Sequence, residues 1–282
     1  MTLLAPAKLN LCLLLGPVRS DGLHEICSLF APLSLADELH VSEAEGDADE
    51  VVCPGMPVPD LTARALGALR DAGWARSPLR IEVDKRIPVA AGLGGGSADA
   101  AAVLRLAAED FEPAELAGLA AGLGADVPSQ IEPRFALVAG AGERVTPMPE
   151  PEPFAVVLLA DPEGLSTAAV YREADRLGIG RDEAELDEAR SRLAGAAAAG
   201  ASPLDYRELL VNDLAAAATS LRPSIADSLE ALSEAGSDLA IVTGSGPTAV
   251  GLFADPDAAE DAAAELRAAS RQATVATSRI GG

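Results

Sequence analysis

The stretch Pro88-Val89-Ala90-Ala91-Gly92-Leu93-Gly94-Gly95-Gly96-Ser97-Ala98 constrains this chain more than any other. In front of it, Leu79-Arg80-Ile81-Glu82-Val83-Asp84 alternates apolar and charged side chains, the period of a half-buried strand. Behind it, residues 99–108 are rich in Ala and Leu and contain no Pro or Gly, which suits a helix. Ser97 stands where an N-cap is expected, with a hydroxyl able to accept from an N–H of the first turn. The order strand, glycine loop, helix start lets backbone N–H groups approach an anion closely, and the helix N-terminus adds partial positive charge. A polyphosphate is the ligand such a loop suits. The competing reading is a glycine-rich turn that only allows strand and helix to pack tightly.

Two familiar phosphate templates do not fit. A Walker A loop closes with Lys-Ser or Lys-Thr, and no lysine follows Lys85. The dinucleotide fingerprint needs glycine at a third fixed offset, which here falls on Ser97 or Asp99. A phosphate-binding chain could instead be one that grips nucleic acid, and the charge argues against that. With 21 basic and 44 acidic residues the net charge is −23, a field that repels nucleic-acid backbones and anionic membranes. Small anions stay open, because local cations decide at short range. Cys12, Cys27 and Cys53 have no metal-ligand spacing, and His24 and His40 are too few for a zinc cluster; free thiols in a reducing compartment are expected. No apolar run is long enough to span a membrane, and Lys8 and Asn10 interrupt the N-terminal apolar stretch, so a cytoplasmic chain without a signal peptide is expected.

Residues 3–15 read as one strand, with Lys8, Asn10 and Cys12 on one face and Leu9, Leu11 and Leu13 on the other. Only two of the 21 basic residues are lysines, Lys8 and Lys85. A lysine inside a Leu-rich strand is either a strand-end side chain reaching water or an ammonium aimed at a phosphate or a reacting hydroxyl. A turn follows at Asp21-Gly22, then His24, then two strands at 29–35 and 38–41 with Asp37 near the turn between them. Residues 61–73 have helical spacing, and residues 113–122 read as another helix, opened by a proline. In Leu123-Gly124-Ala125-Asp126-Val127-Pro128, Asp126 is either a helix cap or a buried functional carboxylate.

The run from Pro147 to Pro153, with prolines at alternate positions, is a stiff connector, and the domain boundary is placed there, giving residues 1–151 and 152–282. Beyond it come a strand at 154–160, helices at about 166–177, 182–199, 206–220 and 223–235, strands at 239–243 and 249–253, a helix at 256–269 and a strand at 273–278. That order is a split βαβ arrangement of the ferredoxin-like kind.

Taken together, these segments resemble the GHMP kinase family. The stretch from Pro88 to Ala98 is similar to its phosphate loop, and Gly244-Ser245-Gly246-Pro247 to its third, glycine-rich motif. Ala5-Pro6-Ala7-Lys8-Leu9-Asn10, Asp21-Gly22-Leu23-His24-Glu25, Leu123-Gly124-Ala125-Asp126-Val127-Pro128 and Asn212-Asp213-Leu214 resemble the signatures of one branch, in order and across nearly the whole chain. The resemblance implies an α+β, two-domain fold: an N-terminal mixed α/β domain carrying the phosphate loop and a C-terminal ferredoxin-like domain. It implies ATP as donor, bound by residues 88–98, with Mg²⁺ assumed and its ligands unassigned. The acceptor would be the 2-hydroxyl of a small cytidine-diphosphate-linked polyol. Asp126 would take the hydroxyl proton and Lys8 would hold Asp126 and the hydroxyl in place. Asn10, His24, Thr167 and Tyr171 would face the substrate, with Tyr171 as the stacking platform for cytosine. Where relatives carry Tyr this chain has Leu23, an aliphatic side chain on the second face of the base. Rival expectations are a homoserine- or mevalonate-type kinase of the same family, an inactive ligand sensor, and a module that only hydrolyses ATP.

Overall fold

A computed structural model describes residues 1–55 and 60–278. In chain order its elements are β1 (Thr2–Asn10), β2 (Leu14–Val18), β3 (His24–Glu43), β4 (Glu50–Val52), α1 (Leu61–Asp71), β5 (Leu79–Asp84), α2 (Gly95–Arg105), α3 (Pro113–Leu123) and α4 (Val127–Ile131). Then come β6 (Ala136–Gly140), β7 (Arg144–Pro147), β8 (Ala155–Leu159), α5 (Thr167–Leu177), α6 (Glu183–Ala197), a 3₁₀ turn (Pro203–Leu209), α7 (Ala215–Leu221), α8 (Ser224–Glu234), β9 (Leu239–Val242), β10 (Ala249–Phe253), α9 (Pro256–Ala268) and β11 (Ala273–Thr277). The chain forms two compact units: residues 1–8, 35–89 and 94–133 make the first, and 9–34, 90–93 and 134–282 the second. Among the described residues no helix is long and apolar enough to cross a membrane.

In the first unit, β5 keeps the alternation read from its sequence, with Ile81 and Val83 buried and Glu82 and Asp84 exposed. It pairs antiparallel with the second half of β3 and parallel with β4. The apolar residues of β5 and β3 share a core with Leu66 and Leu69 of α1 and Val103 and Leu104 of α2. Helix α2 buries Ala98, Ala100, Ala101 and Ala102 as well, so short side chains let neighbouring helices close around it. Asp60 caps α1 by accepting from Ala63 N at 2.8 Å.

In the second unit, four strands form an antiparallel sheet in the order β11-β8-β10-β9, the ferredoxin-like arrangement expected from the element order. Helix α9 places Ala259, Ala262, Ala263 and Leu266 in the core with Val157, Leu159, Leu232 and Phe253. Phe253 is fully enclosed there. Phe253→Ala is expected to cost about 3–5 kcal/mol of unfolding free energy, read from a urea transition, because the cavity it leaves cannot collapse completely.

Three expectations need correction. Residues 3–15 are not one strand: β1 stops at Asn10 and β2 starts at Leu14. The strands at 29–35 and 38–41 are one continuous β3 of 20 residues, with Asp37 inside it rather than at a turn. Asp37 does not break the strand because its carboxylate is buried and accepts from Arg86 N and Ile87 N at 2.6 and 2.8 Å. The helix at 206–220 is broken between Leu209 and Ala215. There Asn212 donates to the carbonyls of Val242 and Gly244, while Asp213 accepts from Arg181 and from Leu15 N, so side chains satisfy polar groups a continuous helix would have left unmet.

Candidate active site

The first unit holds the pair picked out for chemistry. Lys8 lies near the end of β1 and is 5% exposed, which removes the reading of a strand-end lysine in solvent. Its ammonium is 3.3 Å from a carboxylate oxygen of Asp126. Asp126 occupies the position before α4, where a cap would stand, but among the described residues its side chain makes no cap bond. Instead Ser129 Oγ donates to its backbone carbonyl at 2.8 Å, which leaves the carboxylate turned toward Lys8. The side chain of Asp126 is 34% exposed, so solvent or a ligand can reach it.

The glycine loop starts its helix earlier than expected. Helix α2 begins at Gly95 after a left-handed Gly94 (φ +69°), so Ser97 lies in the first turn and not at the cap. Ala98 N donates to Gly94 O at 2.9 Å, the first helical bond. The N–H groups of Gly95, Gly96 and Ser97 precede it and have no helical carbonyl to serve, an arrangement suited to an anion. Gly94 also touches Lys8: a Cβ there would lie 2.7 Å from Lys8 Cγ. Upstream of the loop, Lys85 donates to Asp37 and, at 2.7 Å, to Asp99. Burial works against the Lys85 ammonium, but Asp99 and Asp37 outweigh it and raise its pKa. Burial first, with Asp37 adding to it, pushes Asp99 up to about 7 against the pull of Lys85. One ammonium serves two carboxylates, and of the two it is Asp99 whose second oxygen has no hydrogen-bond partner among the described residues.

The second unit holds the residues assigned to the substrate. His24 opens β3; its Nδ1 is 3.0 Å from the Gly16 carbonyl, and its Nε2 is 3.0 Å from Asp175. The His24 and Tyr171 rings lie 5.5 Å apart at 41°, so the two residues proposed for cytosine are neighbours. Leu23, next to His24 in sequence, is exposed. Thr167, first in α5, exchanges a hydrogen bond with Ser245 Oγ at 3.0 Å. Asn10 is buried, its N–H donating to Thr243 Oγ1 and its side-chain amide to Ser28 Oγ, both at 2.9 Å. Loop residue Gly92 sits against the third glycine motif, where a Cβ would meet Thr243 O at 2.8 Å and Gly246 O at 3.0 Å.

Sequence reasoning missed several supporting residues. Ser245 belongs to the glycine motif and Thr243 ends the strand before it, and neither position carries a sign in the sequence of the hydrogen bonds to Thr167 and Asn10. Asp37 was read as a turn residue. Lys85 stood out as one of two lysines, and that rarity was the available signal for its network.

Models of the GHMP kinase N-terminal domain and the GHMP kinase C-terminal domain match residues 60–132 and 191–272. A protein of Nocardia farcinica named 4-diphosphocytidyl-2-C-methyl-D-erythritol kinase is 40% identical over 97% of this chain and 91% of its own. A crystal structure of 4-(cytidine 5'-diphospho)-2C-methyl-D-erythritol kinase superposes with a TM-score of 0.80 at 35% identity, covering both chains fully. Homoserine kinase from Cytophaga hutchinsonii superposes with a TM-score of 0.74 over 99% of this chain and 94% of its own, but at 15% identity it shares only the fold.

Proposed function

Because the chain belongs to the GHMP kinase family, we infer that it is an ATP-dependent kinase that phosphorylates the 2-hydroxyl of 4-diphosphocytidyl-2-C-methyl-D-erythritol, a step of non-mevalonate isoprenoid precursor synthesis. The observation that carries the chemistry is the Lys8–Asp126 pair with Gly94 packed on the lysine stem. Phosphoryl transfer asks a protein mainly for positioning and charge neutralisation. The acceptor oxygen bonds to the γ-phosphorus while that phosphorus parts from the β–γ bridging oxygen. The hydroxyl proton passes to Asp126, and ADP leaves. Lys8 holds the Asp126 carboxylate and the acceptor oxygen in register.

Residues 88–98 are assigned to the nucleotide, with the N–H groups of Gly95, Gly96 and Ser97 directed at phosphate oxygens. Mg²⁺ belongs to the same proposal as a companion of ATP, adding neutralisation to the phosphates. Such a magnesium takes most of its ligands from phosphate and water. No group of three or more His, Cys, Asp or Glu that could hold a metal occurs among the described residues, and the magnesium ligands stay unassigned. The adjoining rings of His24 and Tyr171, with Thr167 and Asn10, are assigned to the cytidine end of the acceptor. We place the protein in the cytoplasm, on the support of three free thiols, Cys12, Cys27 and Cys53. The Pro147–Pro153 connector remains our boundary between residues 1–151 and 152–282, with β8 opening the ferredoxin-like sheet just after it.

The test is ADP release with ATP and Mg²⁺, with and without the cytidine-diphosphate-linked methylerythritol. Strong stimulation by that acceptor is the expected result. Turnover with homoserine or mevalonate instead would keep the fold and overturn the substrate. No turnover with any acceptor would favour a ligand sensor.

A further inference from the structure

The two arms of the glycine loop that lie in the first unit are joined at their base by buried charge. On the incoming arm, both oxygens of Asp37 are used: Oδ1 accepts from Arg86 N and Ile87 N, and Oδ2 accepts from Lys85 Nζ. On the outgoing arm, Asp99 in α2 accepts from the same ammonium through Oδ2. The arms also touch directly. A Cβ on Gly95 would lie 3.1 Å from Ile87 Cγ2 and 3.3 Å from Lys85 Nζ, so glycine is what lets α2 start against the incoming arm. Asp37 and Asp99 are almost wholly shielded from solvent, and Asp99 Oδ1 is buried without a hydrogen-bond partner among the described residues. A buried carboxylate left half satisfied is a cost to the fold, and a network at such a cost calls for a reason.

We propose that the Asp37–Lys85–Asp99 bridge sets the spacing of the glycine loop's arms and thereby its affinity for the nucleotide, making the two aspartates positioning residues for ATP. The inference rests on the reading of residues 88–98 as the ATP loop. Asp37 anchors the incoming arm to the interior of β3, and Lys85 carries that anchor across to α2. The bridge acts on the backbone that presents the N–H donors of Gly95, Gly96 and Ser97, so it bears on nucleotide binding more than on the Lys8–Asp126 chemistry.

The experiment compares wild type with Asp37→Asn, Asp99→Asn, Lys85→Met and the Lys85→Met/Asp99→Asn double variant, all in the full chain. It measures kcat, KM for ATP and for the acceptor, ADP dissociation by calorimetry, and thermal unfolding. Each single change is expected to raise KM for ATP and the ADP Kd about tenfold, with KM for the acceptor held within about twofold. The double variant is expected to stay within about threefold of Lys85→Met, because both changes break one bridge. The proposal is overturned if Asp99→Asn, which keeps its shape, folds normally with ADP affinity unchanged. It is equally overturned if the double variant multiplies the single effects, since Lys85 would then act on the nucleotide by itself. A parallel loss in kcat and both KM values would mark the bridge as merely structural. If wild type shows no acceptor-dependent turnover, the proposed function falls, and the ADP Kd values still decide the bridge.

Discussion

Asp126→Asn is expected to lower kcat about a thousandfold, the range over which a positioned general base acts. The amide matches the carboxylate in size and keeps α4 in place, since the aspartate side chain makes no cap bond there among the described residues. In the proposed mechanism it cannot accept the proton released as the acceptor oxygen attacks. It also withdraws the negative partner 3.3 Å from Lys8, an ammonium buried in β1. Two functions are therefore lost together, and their loss is not additive. Lys8→Met is expected to fall as far, and the double variant no further, because residues that act as a unit are silenced by the first change. KM for ATP should move by no more than about threefold, as neither residue is assigned to the nucleotide. Steady-state assays with saturating acceptor measure each quantity. An Asp126→Asn enzyme within tenfold of wild type would remove the general-base role.

How much of this was legible in the chain follows the range of the interactions. Strand β5 announced itself by alternation, and α1 by apolar residues at helical spacing, because both patterns are local. The glycine loop was legible as strand, loop and helix, but its cap was not. Ser97 carries the usual capping side chain, yet a left-handed Gly94 starts the helix first. Asp37 looked like a turn because an exposed aspartate favours one. Inside β3 it is stable only because backbone N–H groups and Lys85, 48 to 50 residues away, meet it there. Asn212 splits an expected helix in the same way, by bonds to carbonyls 30 and 32 residues on. Lys8 and Asp126 could be matched through their motifs, but the distance between them required the fold.

Gly94→Ala carries the second large effect, and it separates geometry from stability. At φ +69° an alanine is strained by about 1–2 kcal/mol. Its Cβ would also lie 2.7 Å from Cγ and 3.1 Å from Cε of Lys8. These atoms belong to a flexible stem, so the chain can relieve the clash by swinging the lysine aside. The relief moves the ammonium away from Asp126, and a displacement of that order can cost about a hundredfold in turnover. Turnover is therefore expected to fall by that much, with the thermal midpoint lowered by about 5 °C or less. Gly92→Ala provides the contrast. Its Cβ would meet the carbonyl oxygens of Thr243 and Gly246, backbone atoms that cannot swing, so strain there must appear as lost stability. If Gly94→Ala instead unfolds as readily as Gly92→Ala, or keeps full turnover, then Lys8 is not held by the glycine beside it. A folded, nearly silent Gly94→Ala enzyme would show that the loop glycine fixes the lysine on which the Asp126 carboxylate relies.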